Sequence, residues 1–140
     1  MRLLLICFLL TITGFANAQD TSCWKLMINH KLFTASTIHK PIPVTLTRKE
    51  KGDLKIIFKC DTHPEEINRT FLIMDKNRKE LYRKNYDKKN DFVLISIGKL
   101  KEINKLQPID IYTIAMPKDS VMARTWRVKP LLLTTISWQQ

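Results

Sequence analysis

The chain has 140 residues, and 24 Lys and Arg against 13 Asp and Glu give it a formal net charge of +11. That length suits one domain with a single core, and the charge will hold the protein to anionic surfaces whatever else it does. With only three Gly and six Pro, the composition excludes collagenous, low-complexity and Gly-rich linker chains.

Arg2 precedes an apolar run from Leu3 to Ile12, which leads through Thr13, Gly14 and Phe15 to Ala16-Asn17-Ala18. A basic start, an apolar middle and Ala-x-Ala are the three parts of a secretory signal peptide. The expectation is a signal peptide over residues 1–18 and a single domain over residues 19–140. The run falls short of the roughly 20 apolar residues that span a bilayer, which weighs against the alternative, an N-terminal anchor helix. No later run is long enough to cross. Cys7 lies inside the run and Cys23 follows the polar Asp20-Thr21-Ser22, so neither sits where a bacterial lipid anchor needs it. The reading is a soluble exported protein, periplasmic or extracellular.

Processing leaves Cys23 and Cys60, and two cysteines in an exported chain make one disulfide most simply. Closing that loop stabilises the fold by about 4 kcal/mol on the chain-entropy model. The alternative is a zinc site built from Cys60-x-x-His63 and Cys23. It lacks a fourth ligand, and an oxidising compartment opposes free thiolates, so no metal is expected.

Ser22 to Asn29 opens the mature chain. Trp24, Leu26 and Ile28 share one face and Cys23, Lys25 and Met27 the other, the period of a strand with one buried side. Asn29-His30-Lys31 is a turn, and Leu32 to Ala35 returns as a second strand. Pro41 and Pro43 fix an extended entrance to a short strand at Val44–Thr47. After the charged turn ending in Gly52-Asp53, Leu54 to Cys60 is rich in β-branched and aromatic residues and reads as a strand. Asp61 to Glu66 is a loop stiffened by Pro64. It holds the closest clustering of His with carboxylates, from which an acid–base pair could be built; the preferred reading is a solvated loop. Asn68-Arg69-Thr70 matches the N-glycosylation acceptor pattern, which matters only in a eukaryotic secretory pathway.

Thr70–Met74 and Glu80–Tyr86 read as a hairpin, the most basic part of the chain. Lys76, Arg78, Lys79, Arg83 and Lys84 lie there, with Tyr82 and Tyr86 on the face of Lys84. Cations beside aromatics suit an acidic glycan or nucleic acid, and lysines on an edge hairpin also protect a sheet from aggregation. Phe92–Ile97 is a strand ended by Gly98. Leu100, Ile103 and Leu106 have helical spacing over two turns. Ile109–Met116 alternates as a strand, Ser120–Lys129 is less regular, and Leu131–Trp138 is a last β-rich run behind Pro130.

Short runs, polar turns and one weak helical segment predict an all-β protein. Its size suits an immunoglobulin or fibronectin type III-like sandwich of about seven to eight strands with one disulfide; a small barrel is the competing architecture. Leu106-Gln107-Pro108-Ile109-Asp110-Ile111-Tyr112 resembles the corner before the penultimate strand of fibronectin type III-like domains. That resemblance implies that the Tyr112 hydroxyl bonds back across the corner. A further likeness covers more of the chain: the signal peptide, Asp20-x-x-Cys23-Trp24 opening a strand, Asn29 at a turn, a second cysteine after the Leu54–Phe58 strand and a basic last strand. Together they resemble small exported proteins of Bacteroidetes bacteria without an assigned function. The resemblance implies a periplasmic or extracellular β-domain and carries no active site.

No Gly-x-Ser-x-Gly elbow, His-Glu-x-x-His motif or Gly-rich phosphate loop is present, and the three histidines, His30, His39 and His63, fall in no recognised pattern. The expectation is therefore a non-catalytic module without a cofactor. Its candidate partner is an anionic envelope polymer or glycan, held by Lys76, Arg78, Lys79, Tyr82, Arg83 and Lys84 and by a second group, Arg124 and Arg127 around Trp126. No specific nucleic-acid recognition is expected. An accessory subunit of an envelope protein complex, docking through sheet edges, is the alternative, and an enzyme with a site assembled only in three dimensions is the second.

Overall fold

The computed structural model describes residues 23–36, 40–61, 64–86 and 92–140. Within them run nine strands: β1 (Trp24–Ile28), β2 (Lys31–Ser36), β3 (Val44–Thr47), β4 (Asp53–Phe58), β5 (Ile67–Met74), β6 (Glu80–Asn85), β7 (Phe92–Ser96), β8 (Ile109–Pro117) and β9 (Leu131–Gln139). A short helix, α1 (Ile97–Ile103), follows β7, and a second, α2 (Ser120–Thr125), follows β8. One sheet has the order β2-β1-β4-β7 and the other β3-β9-β8-β5-β6. β3 runs parallel to β9 and every other pairing is antiparallel.

The strand alternation read from the sequence is the alternation that buries. Trp24, Leu26 and Ile28 of β1 lie inside, as do Leu54, Ile56 and Phe58 of β4 opposite them. From the other sheet come Phe71, Ile73, Ile109, Ile111, Leu133 and Ile136, and all belong to one core. Burying each such side chain contributes about 1.5–3 kcal/mol. The sheets pack face to face: among the described residues β2, β7, β3 and β6 each pair on one side only, so these strands form two open sheets and not a closed barrel. Nine strands exceed the expected seven to eight because the β1–β2 hairpin extends one sheet and β3 joins the other.

Three β-bulges adjust the pairing, leaving Phe33 of β2, Leu81 of β6 and Leu133 of β9 as the extra residues. In β9 the bulge places both Leu133 and Thr134 inside. The β1–β2 turn puts Asn29 and His30 at positive φ. Asn29 also ties the next turn: its Nδ2 donates to the Lys51 carbonyl at 2.8 Å, and its Oδ1 accepts from the Asp53 amide at 3.3 Å. Gly52 between them has φ 102°, a conformation that suits Gly alone.

The helical segment starts earlier than its spacing suggests, because Ile97 and Leu100 both reach the core. Lys101 on α1 donates from Nζ to the Arg48 carbonyl at 2.6 Å and to that of Glu50. The corner after α1 is tied by Asn104 Nδ2 donating to the Pro108 carbonyl at 3.0 Å. Tyr112 points to the outer face of β8, between the inward Ile111 and Thr113. Among the described residues its hydroxyl makes no hydrogen bond, so it does not act as the corner tyrosine that the resemblance implied. Asn68 of the acceptor pattern is exposed but sits inside β5, paired with Met116.

Cys23 precedes β1 and Cys60 follows β4. Their Cα atoms are 5.1 Å apart and their sulfurs meet, within the spacing a disulfide spans. The pair staples neighbouring strands of one sheet, beside the Lys59 amide donating to the Cys23 carbonyl at 2.8 Å.

Candidate functional site

The first predicted group lies on β6 and its turn. Asp75 builds the turn, its Oδ1 accepting from the amides of Asn77 at 2.8 Å and Lys79 at 2.9 Å. This leaves Lys76, Arg78 and Lys79 exposed at the tip. The rest of the group is engaged within the molecule. Tyr82 pairs with Ile73 and Lys84 with Phe71, residues directed inward, so both lie on the core-side face of the edge strand. The Tyr82 ring carries the Lys99 ammonium 4.2 Å from its centroid. Lys84 Nζ reaches across to the Leu94 carbonyl on β7, 2.7 Å away, latching the edges of the two sheets. Arg83 faces outward and grips Glu80, Nε to Oε1 at 2.9 Å and Nη2 to Oε2 at 2.8 Å. These hydrogen bonds hold the Glu80 carboxyl below the ordinary glutamate range and raise Arg83 in return.

The opposite end of β5, roughly 23 Å away at 3.3 Å per residue, carries a cleft of about 700 Å³. The Ile67↔Pro117 pairing of β5 with β8 brings the loop before β5 against the segment after β8. The Lys118 amide donates to the Glu66 carbonyl at 2.9 Å and fixes the two together. Asp119 then caps α2, its Oδ1 accepting from the amides of Val121 at 2.9 Å and Met122 at 2.8 Å. Met122 and Trp126, one helical turn apart, line the cleft with Ile67, Ala115 and Pro117. Trp126 is 49% and Met122 54% exposed. Asp61, Glu65, Glu66 and Asp119 surround this apolar floor, with Lys118 the one Lys or Arg among the described lining residues.

A buried arginine anchors one wall. Arg69 sits on the inner face of β5 with its side chain only 7% exposed. Its Nε donates to Asp61 Oδ2 at 2.7 Å and its Nη2 to Oδ1. Nη1 donates to Thr113 Oγ1 at 2.9 Å, and the guanidinium stacks 3.9 Å from the Phe58 ring centroid. The planar fork and aromatic contact are geometries that Lys cannot reproduce. Asp61 is thereby held in place and its charge balanced.

The structure therefore joins two parts that the sequence presents separately: Asp61, Glu65 and Glu66 of the acidic loop, and the second predicted group through Trp126. Of that group, Trp126 alone lines the cleft. Arg124 lies half a turn around α2 from Met122 and points away; Arg127 is exposed beyond the helix. α2 gives no apolar periodicity because none of its residues is buried; the Asp119 cap was its only local signal. His30 is exposed in the β1–β2 turn, while His39 and His63 lie outside the described residues. Among the described residues no group of His, Cys, Asp or Glu is arranged to hold a metal ion, and no helix is long and apolar enough to cross a membrane. Neither a scan of protein-family models nor searches of curated proteins and of solved structures return a match to this chain.

Proposed function

We propose that the protein is a non-catalytic, exported binding module that presents the cleft beside α2 to a partner protein, as an accessory subunit of an envelope assembly does. The observation that carries this reading is an apolar floor left open to solvent and framed by fixed walls. An exposed apolar patch rimmed by polar residues is the kind of surface that interaction sites use, and the cleft volume falls in the range of binding pockets. We place the sandwich in the immunoglobulin-like class. The order β9-β8-β5-β6 facing β4-β7, with β3 parallel to β9, supports that assignment, since the chain crosses between the sheets from β4 to β5, β6 to β7 and β7 to β8, as in a Greek key. In this scheme the cleft belongs to the β8–β9 connection, one of the loop clusters that such domains use for recognition.

A second reading keeps the predicted anionic polymer or glycan. It is favoured by one observation: the cations at the hairpin tip stand exposed around a fixed turn. Tagged protein in its source cells separates the two. Capture of a protein partner that is lost with Trp126→Ser and kept with the triple variant Lys76→Ser, Arg78→Ser, Lys79→Ser supports the cleft. Loss with the triple variant alone, together with salt-dependent retention on an anionic polysaccharide above a charge-matched sandwich domain, supports the polymer. Unchanged behaviour of both variants refutes both.

A further inference from the structure

We infer that the end of the sandwich opposite the cleft docks on an anionic phospholipid bilayer, led by the corner where β2 begins. The inference does not depend on the cleft. Strand register gathers four connections at this end. Ile28 of β1 pairs with Leu54 of β4, and Leu54 with Ile95 of β7. Thr47 of β3 lies beside Gln139 of β9, and Met74 of β5 beside Asp110 of β8. The chain therefore turns here at residues 29–31, 48–53, 75–80 and 97–108. The bond from Asn29 to the Lys51 carbonyl ties the first connection to the second. The Ile97 amide donates to the Gly52 carbonyl at 2.9 Å, and Lys101 holds the Arg48 carbonyl, so α1 is fixed to the same turn.

These connections carry ten Lys and Arg against five Asp and Glu. All ten cations except Lys101 are exposed, and among the described residues none of the ten pairs with a carboxylate. Of the carboxylates, Asp75 accepts from turn amides and Glu80 is held by Arg83. The described connections at the cleft end, residues 40–43, 59–61, 64–66 and 118–130, carry six cations against four carboxylates. The end away from the cleft therefore has the larger positive excess, and an anionic plane draws it in first.

Charge alone would suit any polyanion. A second observation selects the bilayer. Leu32 is 60% and Phe33 47% exposed, directly after Lys31 on the outermost strand of its sheet. A soluble polyanion leaves both in water. A bilayer accepts both kinds of side chain: apolar groups enter the headgroup boundary to about 5–10 Å, while Lys and Arg beside them reach lipid phosphates. Phe33 stands two residues from Lys31, roughly 7 Å along the strand, which matches that depth.

Vesicles test the inference. All nine strands lie between Trp24 and Gln139, so oxidised residues 19–140 hold the whole sandwich and omit the apolar run Leu3–Ile12, which would bind lipid by itself. Co-sedimentation at physiological salt is expected to show binding at least tenfold tighter to phosphatidylcholine vesicles with about one third phosphatidylglycerol than to phosphatidylcholine alone. The set Arg48→Ser, Lys49→Ser, Lys51→Ser weakens it about thirtyfold or more. The charge-matched set Lys118→Ser, Arg124→Ser, Arg127→Ser weakens it less than about threefold. Leu32→Ser with Phe33→Ser, at an unchanged melting temperature, weakens it about tenfold and leaves retention on dextran sulfate as it was. In the parent protein, headgroup-labelled nitroxide lipid broadens the amides of Leu32 and Lys51 and spares that of Met122. Equal binding to both vesicles, or none, overturns the inference. Equal weakening by the two cation sets makes the binding a matter of net charge and overturns the docking face. Broadening at Met122 in place of Leu32, or a Leu32/Phe33 variant that binds vesicles like the parent, overturns the bilayer as the occupant.

Discussion

Asp61→Asn keeps the shape of a side chain and removes the charge that Arg69 faces. The Arg69 guanidinium stays where it is, 7% exposed, between the Phe58 ring and Thr113. Breaking a dry ion pair from one side costs about 3–5 kcal/mol. Asp61 retains 18% exposure, so water reaches it, and the new amide oxygen still accepts one bond. The expected cost is therefore about 2–3 kcal/mol, which lowers the melting temperature of a domain this size by about 5–10 °C. Arg69→Met with Asp61→Leu removes both charges and fills the space with apolar atoms. That double variant should return to within about 1 kcal/mol of the parent. Urea unfolding of the oxidised protein, followed by tryptophan emission with the slope held as a check, measures all three. A loss below about 0.5 kcal/mol for Asp61→Asn, or a double variant less stable than the single one, refutes the claim that the buried charge is what Asp61 satisfies.

Other perturbations probe other links. Reduction of the Cys23–Cys60 pair should lower stability by about 4 kcal/mol, and intact mass after alkylation of the unfolded, unreduced mature chain should show neither thiol modified. Gly52→Ala should cost about 2–4 kcal/mol, since φ is 102° and the added Cβ runs into the Asn29 side chain, breaking the bonds that side chain makes. Asn29→Gly in the same chain should recover part of that loss; thermal melts of the two variants decide it. Glu80, depressed by its hydrogen bonds to Arg83, contributes stability above its unfolded-state pKa and loses it as pH falls through the lower folded value. An NMR titration should place its midpoint below ordinary glutamates in the parent and return it upward in Arg83→Met.

Local order was legible where the pattern is local. The alternation of Trp24-Leu26-Ile28 and of Ile109-Ile111-Thr113 revealed which faces bury, because a strand repeats every two residues whatever it packs against. The cleft was not legible for the opposite reason. Its walls are some 50 residues apart in sequence, and only the register of β5 on β8 joins them. Arg69 was hidden too: an arginine in a strand reads as an outward residue, and only its contacts with Asp61, Phe58 and Thr113 explain why it points in. The hairpin was read correctly as two strands with Tyr82 and Lys84 on one face. That face could not be identified as the inner one until its partners Ile73 and Phe71 were known. α2 escaped because a helix that buries nothing leaves no periodic trace.

The three bulges also say where this chain can change length. Removing one residue from an ordinary strand rotates everything beyond it to the wrong side of the sheet. Removing a bulged residue restores regular pairing and leaves its neighbours facing as before. Phe33 is 47% exposed, so its deletion sacrifices little packing and leaves Leu32 and Thr34 opposite their present partners. Leu133 is 1% exposed, and its deletion keeps the register of β9 but empties a place in the core, at about 2–5 kcal/mol. A single-residue deletion should thus be tolerated in β2 and costly in β9, which thermal melts of the two deletion variants measure.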